Sequence, residues 1–147
     1  VSLAVFDVDG VLAALPRGRR PGERSAAPPA HLSAPAAADD PPLAPGVAVL
    51  LRAHQAGHQV VYLSDRPERR RADTERWIER HLLPRGELLL RPDGDRSAPA
   101  TLTLAALRRL SRRDQVALYV DDDPWLVDVV RGTRPAMVLG RVLHASW

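Results

Sequence analysis

Residues Val1–Leu12 read VSLAVFDVDGVL, and the switch in polarity at Asp7 governs how the rest of the chain is read. Val1–Phe6 is a short apolar run rich in Val and Leu, the pattern of a buried strand ending at Asp7. Asp9 follows beyond one intervening residue, and Gly10 lets the chain turn sharply there. An acidic pair at a strand end is either a plain turn or a chemical site. The clusters further along the chain decide between the two.

From Pro16 to Pro45 the chain holds Pro, Ala, Gly, Ser and charge without hydrophobic period, which predicts a loop. Gly46–Ala56 carries Val47, Leu50 and Leu51 at helical spacing, and Gly57 suits a C-terminal stop. Gln59–Leu63 (QVVYL) is a second buried strand, running into Ser64-Asp65-Arg66-Pro67. Arg69–His81 reads as a helix with Trp77 and Ile78 inward, ended by Pro84. Glu87–Leu90 is a third strand, followed by the turn Pro92-Asp93-Gly94-Asp95. Ala100–Leu110 is the next helix, with Leu104, Leu107 and Leu110 inward. Val116–Val120 is a fourth strand ending at Asp121-Asp122-Asp123, and Pro124 starts a short helix to about Val130. Ala136–Leu139 is a candidate fifth strand. Strands alternating with helices imply an α/β fold, a parallel sheet covered on both faces, with ligands outside the carboxyl ends of its strands. Asp7 and Asp9, Ser64 to Arg66, and Asp121 to Asp123 all fall at that edge.

With 147 residues, 45% of them hydrophobic, the chain is expected to form one domain over 1–147. Aromatics are 4%, so Val, Leu and Ala must build most of the core. The absence of cysteine excludes disulfides, thiolate metal sites and cysteine nucleophiles. No apolar run reaches the roughly 20 residues of a membrane helix, so no membrane partner is expected. Val1–Phe6 is too short and too soon acidic for a signal peptide, and a cytoplasmic location is the expectation. A first residue other than Met is what an excised segment would show. All 21 basic residues are arginine, and with a net charge of +3 the pI near 10.4 reflects arginine's high pKa more than an excess of charge. That lends mild support to a phosphate-bearing partner, against a plain Arg/Ala compositional bias.

A phosphate monoester repels an approaching nucleophile, and a divalent cation held by carboxylates relieves the repulsion. Mg²⁺ prefers such oxygen ligands. Asp7 could attack phosphorus to give an aspartyl-phosphate, while Asp9 protonates the leaving oxygen and later deprotonates water. Asp121 and Asp122 would complete the metal shell that Asp7 and Asp9 begin. Ser64 could donate to a phosphoryl oxygen, and Arg66 could grip phosphate with its planar fork. Singly, each cluster has a bland alternative: Asp-x-Asp-Gly as a turn, and triple Asp before Pro as a helix cap. Together they favour the functional reading, because four carboxylates buried close together without a cation would be strongly unfavourable. His54 and His58 read as surface residues, and Trp77 and Trp125 as packing against the sheet.

These elements resemble the haloacid dehalogenase (HAD) superfamily of phosphatases: motif I at Asp7–Val11, motif II at Ser64, and the acidic motif IV at Asp121-Asp122. Within that superfamily, YLSDRP (Tyr62–Pro67), ERWIERHLLP (Glu75–Pro84), LLLRPDGDRS (Leu88–Ser97) and YVDDDP resemble the 3′-phosphatase domain of polynucleotide kinase-phosphatases. The resemblance implies a three-layer α/β/α, Rossmann-like sheet, Mg²⁺ as cofactor, and Arg66 on the phosphate. A further arginine of the loop after motif I, Arg17 or Arg19, would join it, with Arg20 nearby. Arg91 is a further candidate for substrate binding. One departure stands out, for Thr103 occupies the place of the family's motif III lysine. Arg91 and Arg96 lie on the approach to that helix, whereas Arg108 and Arg109 lie beyond it, facing solvent. Losing such a cation could cost ~3 kcal/mol of transition-state stabilisation, about a hundredfold in rate.

Without a recognisable cap after motif I or II, the site is expected to be essentially capless and open, suited to a large phosphorylated substrate such as a nucleic-acid 3′ end. The chain has no glycine-rich phosphate loop with lysine, so a kinase domain is not expected. The sequence expectation is therefore a Mg²⁺-dependent phosphomonoesterase, foremost a polynucleotide 3′-phosphatase in end repair. A small-molecule or nucleotide phosphatase, and a HAD-like binding module of weak or lost turnover, stand as alternatives. The oligomeric state is left open.

Overall fold

A computed structural model describes residues 1–15, 39–133 and 139–147. In chain order these form β1 (Ser2–Asp7), α1 (Ala44–Gln55), β2 (Gln59–Pro67), a 3-10 turn (Glu68–Arg70), α2 (Arg71–Arg80), β3 (Gly86–Arg91), α3 (Pro99–Arg113), β4 (Gln115–Asp121), α4 (Pro124–Gly132) and β5 (Leu139–His144). The five strands pair in the order β3-β2-β1-β4-β5, every pairing parallel. The α/β fold with a HAD-like parallel sheet is therefore as the sequence predicts. Most predicted boundaries move by a few residues. The clearest difference is β5, which begins at Leu139, where the predicted strand ends. Residues 136–138, with Arg17, Arg19 and Arg20, lie outside the described residues.

Alternation along the strands sends side chains to two separate cores. Ala4 and Phe6 of β1, Val60 and Tyr62 of β2, and Val120 of β4 pack beneath α1 (Leu50, Ala53) and α2 (Trp77, Ile78). Leu3 and Val5, Val61 and Leu63, and Val116 and Tyr119 meet α3 (Leu107, Leu110) and α4 (Leu126, Val127, Val130) on the other face. Val116 and Tyr119 share a face although three residues apart, because β4 carries an extra residue. Leu3 pairs with Val116 and Ala4 with Leu118, leaving Ala117 as a bulge. On β5, a Cβ at Gly140 would stand 2.2 Å from the Ala117 carbonyl oxygen, so the bulge is matched by a residue without a side chain.

Two expectations about packing change. Leu51, read as part of the inner face of α1, is 38% exposed, and Ala53 takes the inward place. Trp125 does not pack on the sheet. It is 63% exposed in the first turn of α4, whose inner face is Leu126, Val127 and Val130. Trp77, in contrast, is fully buried, and its Nε1 donates to the Asp40 carbonyl at 2.7 Å. That bond pins the end of the segment leading into α1. Replacing Trp77 with Ala is expected to cost about 3–5 kcal/mol, from the cavity and the orphaned carbonyl. The midpoint of urea denaturation measures it, and a shift worth under about 1 kcal/mol would contradict this account of the core.

Candidate active site

Parallel strands end together, so β1, β2 and β4 deliver their terminal polar residues to one edge. Asp7 at the end of β1, Asp121 at the end of β4 and the adjoining Asp122 are all buried. One carboxylate oxygen from each lies within 4.8 Å of the others. Three buried carboxylates at such separations repel one another, and a cation lying among them would offset that repulsion. An all-oxygen donor set is that of a hard divalent ion of the Mg²⁺ type. The observed grouping therefore fits the expected metal for Asp7, Asp121 and Asp122.

Asp123 shows how the triple Asp divides its work. Its carboxylate caps α4, accepting from the N–H groups of Trp125 at 3.0 Å and Leu126 at 3.2 Å. The helix-cap reading holds for this residue alone. Asp121 is locked by two donors: the Tyr119 hydroxyl on one oxygen and the Asp123 N–H, at 2.8 Å, on the other. Asp122 lies against Gly10, where an added Cβ would come within 2.4 Å of its Oδ2. Gly10 also has φ +87°, so it supplies both the turn after Asp9 and the room for Asp122.

The Asp9 side chain sits apart from the grouped carboxylates. Arg66 takes it in a fork: Nη2 reaches Oδ1 at 2.7 Å and Nε reaches Oδ2 at 3.1 Å. The Ser64 hydroxyl donates to the same Oδ2 at 3.1 Å and accepts from the Arg66 N–H, also at 3.1 Å. Arg66 is 5% exposed. Burial opposes its charge, yet Asp9, Asp40 and Asp7 together raise its pKa above the ordinary arginine value. Its Nη1 is buried without a hydrogen-bond partner among the described residues.

Asp40, absent from the sequence reading, shares Arg66 by accepting from Nη2 at 3.1 Å. Its pKa is raised, chiefly by burial, with Asp9 and Asp39 adding to the rise and Arg66 opposing it. Its place in a Pro/Ala-rich stretch, 26 positions from its partner, left only the acidic pair Asp39-Asp40 before α1 as a signal.

Thr103 is buried on α3 and lines a groove of about 400 Å³ together with Ser64, Arg91, Arg71 and Arg109. The arginines near it have other work. Arg91 donates from Nη2 to Asp65 at 3.3 Å and from Nη1 to the Ser97 carbonyl at 2.8 Å, fixing the turn before α3. Arg109 pairs with Glu87 at 3.6 Å, while Arg96 and Arg108 are exposed. Between β2 and α2 only the turn Glu68–Arg70 intervenes, so no cap is inserted after motif II. Residues 16–38, where a cap after motif I would start, are outside the described set.

In fold the chain resembles phosphatases of the HAD type. Two similar solved structures are more specific. One is of a Pnkp1/Rnl/Hen1 complex, with 26% identity and a TM-score of 0.75 over 98% of this chain and 45% of that one. The other is of the Pnkp1/Rnl/Hen1 RNA repair complex, with 26% identity and a TM-score of 0.74 over 97% of this chain and 42% of that one. The chain thus spans less than half the length of either. A class C acid phosphatase from Bacillus anthracis, solved with tungstate bound, shares 14% identity at a TM-score of 0.57 over 95% of this chain and 65% of that one, a likeness of fold alone. No family model and no curated protein matches the chain.

Gly10→Ala should be costly twice over, through a left-handed backbone conformation and through displacement of Asp122. A loss of about 1–3 kcal/mol is expected from the strain alone. Calorimetry should show a lower unfolding temperature together with weaker Mg²⁺ binding. Unchanged values of both would remove the argument that Gly10 makes room for the grouped acids.

Proposed function

We propose that the chain is a Mg²⁺-dependent phosphomonoester hydrolase acting through an aspartyl-phosphate, with a polynucleotide 3′-phosphate end as its substrate. The observation that carries this reading is the buried group Asp7, Asp121 and Asp122 standing beside the Arg66–Asp9 pair. The RNA repair complex among the similar structures supports the choice of substrate. A magnesium ion held by Asp7, Asp121 and Asp122 would offset the charge of the phosphate and draw it towards Asp7.

The residues divide the remaining work. An Asp7 oxygen attacks phosphorus, the bond from phosphorus to the leaving oxygen breaks, and that oxygen takes a proton from Asp9. Water then attacks the phosphorus of the aspartyl-phosphate and gives its proton to Asp9, and the bond to Asp7 breaks to release inorganic phosphate. Asp9 must hold a proton at the outset, and in the structure its carboxyl oxygens are taken up by the Arg66 fork and the Ser64 hydroxyl. Substrate would draw the Arg66 donors, Nη1 included, to phosphoryl oxygens and so release Asp9 from the fork. Ser64 supplies a further donor, and the loop arginines Arg17 and Arg19 together with Arg91 are retained as candidate contacts for the rest of the substrate.

Thr103 motivates a second reading, a HAD-like binding module of weak turnover, because the arginines around the approach to α3 are exposed or engaged elsewhere. Phosphate release from an aryl phosphate and from a 3′-phosphorylated oligonucleotide separates the two. Release that requires Mg²⁺, stops with EDTA and is lost in Asp7→Asn supports hydrolysis; no release above that control overturns the enzyme reading. Release from the aryl ester and mononucleotides, without release from the oligonucleotide, selects a small-molecule phosphatase. Arg66→Ala is expected to lower kcat/KM by about a hundredfold or more. Arg66→Lys should recover little, since a point charge cannot replace the fork, and steady-state kinetics on both variants tests this.

A further inference from the structure

We propose that Trp125 is a stacking platform for the terminal nucleobase of the substrate, an assignment that rests on reading the neighbouring acids as the phosphate site. A lone exposed aromatic needs no explanation in itself. The place of Trp125 is what distinguishes it. It follows Asp122 by three residues, a stretch of chain that spans at most about 10 Å. Its indole is 63% exposed, while Leu126, Val127 and Val130 take the inward positions of α4.

The backbone there is held in place. The Asp123 carboxylate accepts from the Trp125 N–H at 3.0 Å, and the Asp123 N–H in turn donates to Asp121 at 2.8 Å. Pro124 fixes φ between them. The ring is therefore carried on the same short segment as two of the grouped acids, at the carboxyl edge of the sheet. A nucleotide whose 3′-phosphate lies among those acids has its base one ribose away. Indole stacking would hold that base without regard to its identity, as a phosphatase of mixed-sequence ends requires. A small aliphatic phosphoester would leave the ring unused.

The test is equilibrium binding, by fluorescence anisotropy, of labelled oligonucleotides ending in a 3′-phosphate, with the terminal base present or replaced by an abasic site. RNA and DNA versions are both measured. Wild type should bind the base-bearing end about 5- to 150-fold more tightly, the range expected for one stacked base. Trp125→Ala should abolish that difference and leave abasic-end affinity unchanged, while Trp125→Phe should keep part of it. Because the side chain lies outside the core, these variants should unfold at the temperature of wild type. Equal discrimination between the two ends by wild type and Trp125→Ala overturns the proposal, as does a wild type that does not discriminate. Phosphate release from glycerol phosphate, measured alongside, should be unaffected by Trp125→Ala. Base-dependent binding without release from any ester would defeat the catalytic reading and keep the platform; release without base dependence would do the reverse.

Discussion

Arg66 carries a full positive charge at a depth where only 5% of the residue meets solvent, and the local architecture is arranged around keeping it there. Removing a guanidinium from water costs several kcal/mol, and excellent geometry is needed to recover it. The recovery comes from three separate parts of the chain: Asp9 in the turn after β1, Asp40 ahead of α1, and Ser64, which receives the Arg66 amide and bonds Asp9. Trp77 extends the linkage into the core by holding the carbonyl of Asp40. Through Arg66, the packing beneath α2 and the geometry of the first turn become one problem. An anion entering this site meets Nη1, which has no partner among the described residues, and must take the other Arg66 donors from the carboxylates that hold them.

Most of the fold was legible because parallel strands buried on both faces write themselves as uninterrupted apolar runs, as SLAVF and QVVYL do. β5 was misplaced because LGRVLH lies beside its edge, where Gly140 and Arg141 break the run. Trp125 was misread for a different reason. In the first turn of a helix, hydrophobicity alone does not say which side faces the core, and the inward positions fell to Leu126 and Val127.

The candidate site was legible where position in the chain implies position in space. Asp7, Ser64, Asp121 and Asp122 terminate strands or follow them directly, so the topology gathers them. Asp40 follows no strand and its pairing with Arg66 is a tertiary event, which residue spacing does not encode. The ion pair of Asp9 with Arg66 was not legible, since the sequence reading gave Arg66 to phosphate alone. The division of Asp121, Asp122 and Asp123 between site and helix cap was likewise invisible in a run of identical residues. It is set by backbone direction after β4, where consecutive side chains diverge.

The bulge at Ala117 bears on what insertions and deletions this chain can tolerate. Its extra residue resets the alternation of β4, so that Tyr119 lies on the face of α3 and α4, and Asp121, two residues further on, stays within reach of the Tyr119 hydroxyl. Loss of that one residue would leave Val116 and Tyr119 two apart and on the faces they hold now, but it would put β4 one residue out of step with β5, where Val116 pairs with Leu139 and Leu118 with Arg141 without a shift. A residue gained or lost elsewhere in β4 would instead turn every later side chain over, driving Tyr119 under α1 and α2 and Val120 under α3 and α4. Length variation here is not a local trim of the kind a surface turn absorbs: the frame of the strand is kept by a count of residues, with Gly140 on the neighbouring strand keeping the same count.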